Sequence, residues 1–477
     1  MTSFQKSRKV QAWRPTPIQM GCHLPRLTRR EFIRVGSLGV AGYYLLPLAR
    51  PRNVEAREPV VPRGGADICI LLFLQGGPSQ LDTFDVKEGS WTPPDFDIRA
   101  VKPGLRMPAA LLPKLSERTG KYAIVRSLEA WEAEHARGTY YLQAGRLLSP
   151  ARLHEIPSVG SVVAYETASR RKESDFMPPF ISINMETSQL VGPGVLPSTF
   201  APMAMFSGSP PPFVIPDGER AVFERRLDLL NDLDHAWRHE DTHRGRIFSD
   251  LDHYYQSAYP LLKNPKAGPV FTIATEDHAR YGNSGVGDAC VLARNIVQSG
   301  AGTRFVFIAH SGWDLHGGAY NKAAGTNQYK LCTDLDAAVS GLLDDLEAKT
   351  DEQGRRLLDK TFIACMGEFG RTPGDLNLNG GRDHYRYAAV GLFAGAGVKG
   401  GKVLGSTDTV GGRVVDPGWH KQRSIYPEDI LVTIYSVLGI DWTKKVTQTP
   451  SGRPFEYVEN ISPKGLMEFG EITELFA

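Results

Sequence analysis

The sequence is short of cysteine, of net charge and of long apolar runs, and each shortage removes a class of protein. Five cysteines in 477 residues are too few for the disulfide framework of a small secreted domain. Cys69, Cys290, Cys332 and Cys365 each fall in an apolar run, so buried free thiols are expected; Cys22 stands apart near the N-terminus. Fifty-five lysines and arginines face 53 acidic residues, for a formal net charge of +2. Nothing in that balance argues for nucleic-acid binding. No run reaches the roughly 20 apolar residues that a membrane helix needs.

What is present begins with an address. Thr28-Arg29-Arg30-Glu31-Phe32-Ile33 sets an arginine pair, one spacer and two apolar residues in the arrangement read by the machinery that exports folded proteins. The mildly apolar stretch Val35 to Leu48 follows, and Arg50-Pro51-Arg52 then breaks the chain away from any core. Residues 1–60 are therefore expected to be a twin-arginine signal and linker. That implies a periplasmic or secreted protein with the twin-arginine translocase as partner, touching the membrane only through this segment. An uncleaved leader would leave it anchored.

The remainder, 61–477, is long enough for one large domain. Glycine (49) and proline (33) together make about 17% of the chain, above the ~12% of average usage, which predicts long shaped loops on a scaffold. Ala66–Leu74 is a short, mostly apolar run stopped by Gly76-Gly77-Pro78 and reads as a buried parallel strand. Similar runs lie at 122–125, 180–183, 303–309, 360–366 and 388–393, with helical periodicity at 287–298 and 329–349 between them. The alternation predicts an α/β fold with a mostly parallel central sheet and helices on both faces. Residues 184–260, with Pro210-Pro211-Pro212 and a charged helical stretch over 219–255, are expected to form a cap or insertion. Residues 427–438 read as an amphipathic helix ended by Gly439.

In such sheets ligands bind just past the carboxyl ends of the strands. The polar clusters gather there: Ser79-Gln80-Leu81-Asp82 to Asp85, Glu134-His135, His310 to His316, Gly367-Glu368-Phe369-Gly370-Arg371, and Arg382-Asp383-His384-Tyr385. Histidines and carboxylates converging from separate loops are what a divalent ion such as zinc or manganese requires. Two such ions can activate an attacking oxygen and stabilise the leaving oxygen of a phosphate or sulfate ester.

These residues carry a resemblance. Phe73 to Asp85 (FLQGGPSQLDTFD), Gly367 to Pro373 (GEFGRTP), Gly381 to Tyr385 (GRDHY) and Gly395 to Asp408 (GAGVKGGKVLGSTD) resemble the DUF1501 family, a group related to the alkaline phosphatase and sulfatase superfamily. The resemblance implies an alkaline-phosphatase-like three-layer sandwich. It further implies an exported metal-dependent hydrolase of phosphate or sulfate esters using one or two ions of zinc, manganese or calcium. Small anionic molecules or polysaccharide esters would be its substrates.

By that likeness Asp314 with His316, or with His310, resembles one metal site, completed by His384, with Asp383 and Asp82 as further ligands. Glu368 keeps one ligand of a second site that Phe369 loses. His135 to Arg146 resembles the sulfatase signature, and His135 stands where that family has its nucleophilic cysteine. His135 and Glu368 would thus be second-site ligands or bases, and Arg371 would bind the anionic group. Thr139 is the nearby hydroxyl.

Blander roles stand beside these. Asp85 suits a turn cap, Asp383 an orienting partner of His384 or Arg382, and Arg371 a loop brace. Trp313 and Tyr385 suit walls for a sugar, or packing on the core rim. His235, His239 and His243 read as a solvated helix face, and His154 and His253 lack matching carboxylates. The missing hydroxyl or thiol at His135 favours a second reading, a non-catalytic binding or assembly protein on the same fold.

Overall fold

Ile68-Cys-Ile-Leu-Leu-Phe-Leu74 leaves neither face of its strand for water, so it has to be covered on both sides. In the computed structural model, which describes residues 60–209, 215, 217–239 and 258–477, this strand (β1, Ile68–Leu74) is buried along its whole length. The leader, with its arginine pair, and His243 and His253 lie outside the described residues.

Seven more strands complete the main sheet: β2 (Tyr122–Leu128), β3 (Phe180–Ile183), β4 (Met203–Met205), β5 (Phe305–His310), β6 (Thr361–Met366), β7 (Ala389–Ala394) and β8 (Val403–Leu404). Their order is β8-β2-β7-β6-β1-β5-β3-β4, with β1 at the heart between β6 and β5. Only β7 runs antiparallel to its neighbours, β2 and β6. The mostly parallel α/β sheet expected from the sequence is therefore the one observed.

Helices cover both faces. Ile68, Ile70, Leu72 and Leu74 point into one core with α5 (Gly285–Ser299) and α6 (Gln328–Ala348); Cys69, Leu71 and Phe73 point into the other with α1 (His135–Ala144), α2 (Val159–Glu166) and α7 (Pro427–Val437). The period-2 alternation of a strand thus divides one continuous apolar run between two layers. Burying a leucine or phenylalanine of this kind is worth about 1.5–3 kcal/mol. The four cysteines of the described residues are free and buried, and burial pushes each thiol pKa up.

Two further helices are α3 (Arg220–His239) and α4 (Thr275–Tyr281), beside short ones at Pro113–Glu117 and Ala267–Val270. The segment expected as a cap contributes β4 to the edge of the main sheet and then enters α3. Between α4, α5 and α6 a buried network forms. Arg294 donates to Asp277 Oδ1 (2.7 Å) and Asp345 Oδ2 (2.8 Å), Tyr281 donates to the same Asp345 oxygen (2.8 Å), and Arg280 takes the other. No described helix is long and apolar enough to cross a membrane.

Candidate metal centre

Because β2, β5 and β6 run parallel, the loops that leave their carboxyl ends share one edge of the sheet. The loop after β2 delivers His135, the loop after β5 delivers Asp314 and His316, and the loop after β6 delivers Glu368. His384 arrives at that edge because antiparallel β7 begins there, and a two-residue ladder pairs His384 with Arg371. His135 opens α1, whose start is fixed by Glu134: its carboxylate accepts from the Ala136 N–H (2.9 Å) and the Arg137 N–H (3.0 Å).

The structure brings together His135, Asp314, His316 and His384, with one ligand atom of each lying within 4.8 Å of all the others. Each imidazole is held from behind through Nδ1. His135 Nδ1 lies 2.7 Å from Glu368 Oε1, His316 Nδ1 2.7 Å from Asp383 Oδ1, and His384 Nδ1 2.9 Å from the Ala133 carbonyl. Glu368 is itself fixed by the Gly76 N–H (3.0 Å) and is fully buried. A carbonyl only accepts, and Glu368 already accepts from Gly76, so Nδ1 carries the proton on His384 and on His135.

That tautomer leaves an Nε2 lone pair on each ring, and all three Nε2 atoms lie close to Asp314. Nε2 to Asp314 Oδ1 is 3.1 Å for His135, 3.0 Å for His316 and 3.3 Å for His384, while the Nε2 atoms of His316 and His384 stand 2.9 Å apart. His135 Nε2 is buried without a hydrogen-bond partner; its approach to Asp314 has the distance of a bond but not the direction. With neutral rings these four atoms are acceptors, and the donor the chain supplies to them is Arg371, on Asp314 Oδ1 (2.6 Å). One proton on His316 would relieve one pair, and Glu368 with Asp314 raises the His135 pKa toward its protonated form. A cation at the centre would satisfy all three imidazole nitrogens together.

The dimensions suit that ion. Ligands on a tetrahedral zinc ion lie ~3.3 Å from one another, and the separations here are close to it. Imidazoles backed by a carboxylate or carbonyl are the usual second layer of such sites. Three nitrogens do not suit calcium, which takes oxygens. Although burial works against ionisation, the Arg371 guanidinium holds the Asp314 carboxyl well below the usual carboxylate range.

With this geometry in place, comparison with known proteins is informative about kinship. A profile of the DUF1501 family, described as a protein of unknown function, matches residues 66–465. The chain belongs to the DUF1501 family. No curated protein sequence matches it. Similar solved structures include an alkaline phosphatase superfamily protein from Vibrio parahaemolyticus, 11% identical over 80% of this chain and 69% of that one, with a TM-score of 0.38. Another is the sulfatase PsFucS1 from Pseudoalteromonas sp., at 14% identity, 93% and 76% coverage and a TM-score of 0.33. A third is the phosphonate monoester hydrolase SpPMH from Silicibacter pomeroyi, at 10% identity, 78% and 73% coverage and a TM-score of 0.33.

Other expected site residues of this DUF1501 chain are placed differently. Asp82 is not in the cluster: it is buried in an ion pair with Arg382 (3.2 Å) and accepts from the Tyr320 hydroxyl (2.9 Å). Asp383 stands behind His316, whose hydrogen bond lowers its pKa, and orients the ring where a ligand role was expected. Glu368 likewise backs His135 and is not among the four. Arg371 does not present a free fork to solvent. It is 2% exposed and donates to the Gly76, Gly77 and Arg382 carbonyls and to Asp314 Oδ1 (2.6 Å).

His310 is also outside: buried against Trp313, with its pKa pushed down to about 3 by that burial. Trp313 is itself 1% exposed, so it packs in the core and lines no surface. Tyr385 donates to the Gly412 carbonyl. Asp85 is buried beside Lys87 and Arg126 and accepts from Thr407. Gln80 braces the Arg371 backbone from both its amide ends. The Ala133 carbonyl and the Gly76 N–H were missed, since backbone groups leave no signal in residue type.

Beside the cluster opens a cleft of about 820 Å³, lined in part by His135, Asp314, Thr139, Tyr140, His154 and Gln189. His135 and Asp314 line it, with side-chain exposures of 32% and 45%, and His316 and His384 are partly exposed.

Proposed function

We propose that the chain is an exported metal-dependent hydrolase that cleaves a phosphate or sulfate ester at the His135, Asp314, His316 and His384 centre, with zinc the ion the donor set suits best. The observation that carries this reading is the cluster itself, three imidazole nitrogens and a carboxylate oxygen gathered within 4.8 Å of one another. Its partial exposure supports catalysis over a purely structural ion, because catalytic zinc keeps an exchangeable position while structural zinc is closed off.

When bound, the ion would supply Lewis-acid polarisation of an ester oxygen and a lowered pKa for attached water. The chain's own residues do the rest. Glu368, Asp383 and the Ala133 carbonyl keep the three Nδ1 protons in place, so the Nε2 atoms remain lone-pair donors. Arg371 anchors the Asp314 carboxylate in its ionised form. The cleft holds the body of the substrate beside His135 and Asp314.

Export rests on the arginine pair at Arg29 and Arg30, and it suits a site whose ligands come from distant segments and must be assembled by folding. The test is elemental analysis of the purified mature protein followed by assay of aryl phosphates and sulfates. One ion per chain with turnover supports the reading; no ion and no turnover refutes it. A second reading, binding without catalysis, is favoured by His135 standing where a nucleophile would be and by Thr139 being buried within α1. A stoichiometric ion with no turnover on any ester would select it.

A further inference from the structure

The cleft beside the metal centre has a charge pattern that the ester reading alone does not anticipate. No lysine or arginine is among its lining residues, while two carboxylates, Glu134 and Asp314, are. Its wall is instead aliphatic, formed by Leu148, Leu153, Leu190 and Val191. Leu153 is 42% exposed there, an apolar surface left open at the rim. Gln75 and Gln189, which hydrogen-bond each other at 2.6 Å, add neutral amides near the centre. The Tyr140 hydroxyl is buried without a partner in the protein, and burial pushes its pKa up to about 12, so it stays a neutral donor.

A cleft of this kind repels further negative charge. Away from the centre His154 is the one lining residue able to carry positive charge, whereas Glu134, exposed and 3.9 Å from Arg137, opposes a second anionic group. We infer that the ligand carries its one anionic group at the metal centre and an uncharged, largely apolar aryl or alkyl body in the cleft. A polyanionic chain such as a multiply sulfated polysaccharide is selected against. This rests on the reading above that the ester group sits at the four-residue centre.

The test uses the full chain loaded with zinc. Calorimetry measures binding of 4-methylphenylphosphonate and 4-carboxyphenylphosphonate, which differ by one remote charge. The carboxylated probe should bind at least ~10-fold more weakly, and Leu153→Lys should narrow the gap. Equal or tighter binding of the carboxylated probe, or no binding of either, overturns the inference. Hydrolysis is read separately on the matching phosphate and sulfate monoesters. No hydrolysis with the binding preference intact refutes the hydrolase and leaves the selectivity of the cleft standing.

Discussion

Two polar clusters in this fold look alike in composition and differ in balance. Among α4, α5 and α6, Arg294 and Arg280 face Asp277 and Asp345, and each carboxylate oxygen meets an N–H or O–H. At the carboxyl edge of the sheet, His135, Asp314, His316 and His384 present acceptors to one another, and the chain supplies Arg371 to Asp314 alone. Buried ionic groups need their partners. The first cluster finds them within the chain and therefore explains itself as structure. The second finds only Arg371, which donates to Asp314 Oδ1 (2.6 Å) and leaves the three imidazole nitrogens unmatched, an arrangement that a bound cation would complete. Counting donors against acceptors separates the two where counting charged residues would not.

The largest effect should come from removing one of the four acceptors. His384→Ala takes away a ligand and the group that faces His316, and metal in the purified protein should fall from one ion per chain to near zero by elemental analysis. Unchanged metal content would break the comparison at its root. Arg294→Met acts on the other cluster. It strands Asp277 and leaves Asp345 with Arg280 and Tyr281, and breaking a buried pair in this way costs about 3–5 kcal/mol. Urea unfolding should show that loss with metal content unaltered. Equal metal loss in both variants would mean that only folding had been disturbed.

A finer test lies in the residues that back the ligands. Asp383→Asn should weaken metal affinity by ~10–100-fold without abolishing it, as loss of an orienting partner does. Asp82→Asn, in contrast, should leave metal affinity where it is and lower stability, because Asp82 serves Arg382 and Tyr320. Competition with a chelator measures the first and denaturation the second. A drop in affinity from Asp82→Asn would return that residue to the centre.

These residues also show how far the sequence was readable. The strand at Ile68 could be read as buried and parallel because its apolar side chains need cover on both faces. The convergence of loops after parallel strands marked the polar clusters, and the family resemblance singled out Asp314, His316 or His310, and His384 within them. Asp82 and Arg371 could not be assigned, because their partners are remote in sequence: Arg382 for one, Gly76 and Asp314 for the other. The choice between His310 and His316 turned on burial, since His310 ends a strand and its ring is drawn under Trp313. His135 was expected at a second site and instead joins the first, a matter of how α1 is aimed, which residue spacing does not encode.

The smallest effect concerns Glu134, which belongs to both themes. Its carboxylate caps α1 and also lines the cleft. Glu134→Ala should cost about 1 kcal/mol, the usual loss for a missing cap. The Ala136 and Arg137 N–H groups lower its pKa from the ordinary 4.5. The stabilisation is therefore present above that ordinary value and is lost as pH falls through the lowered one, so parent and Glu134→Ala should converge in acid. Glu134→Ser separates the roles, because serine caps a helix as well but carries no charge. Its stability at neutral pH should stay near the parent's, while the carboxylated phosphonate binds more tightly. If serine restores the cap and binding does not change, the charge of the cleft is irrelevant to its ligand. If binding improves, a single carboxylate both starts the helix that carries His135 and screens what reaches it.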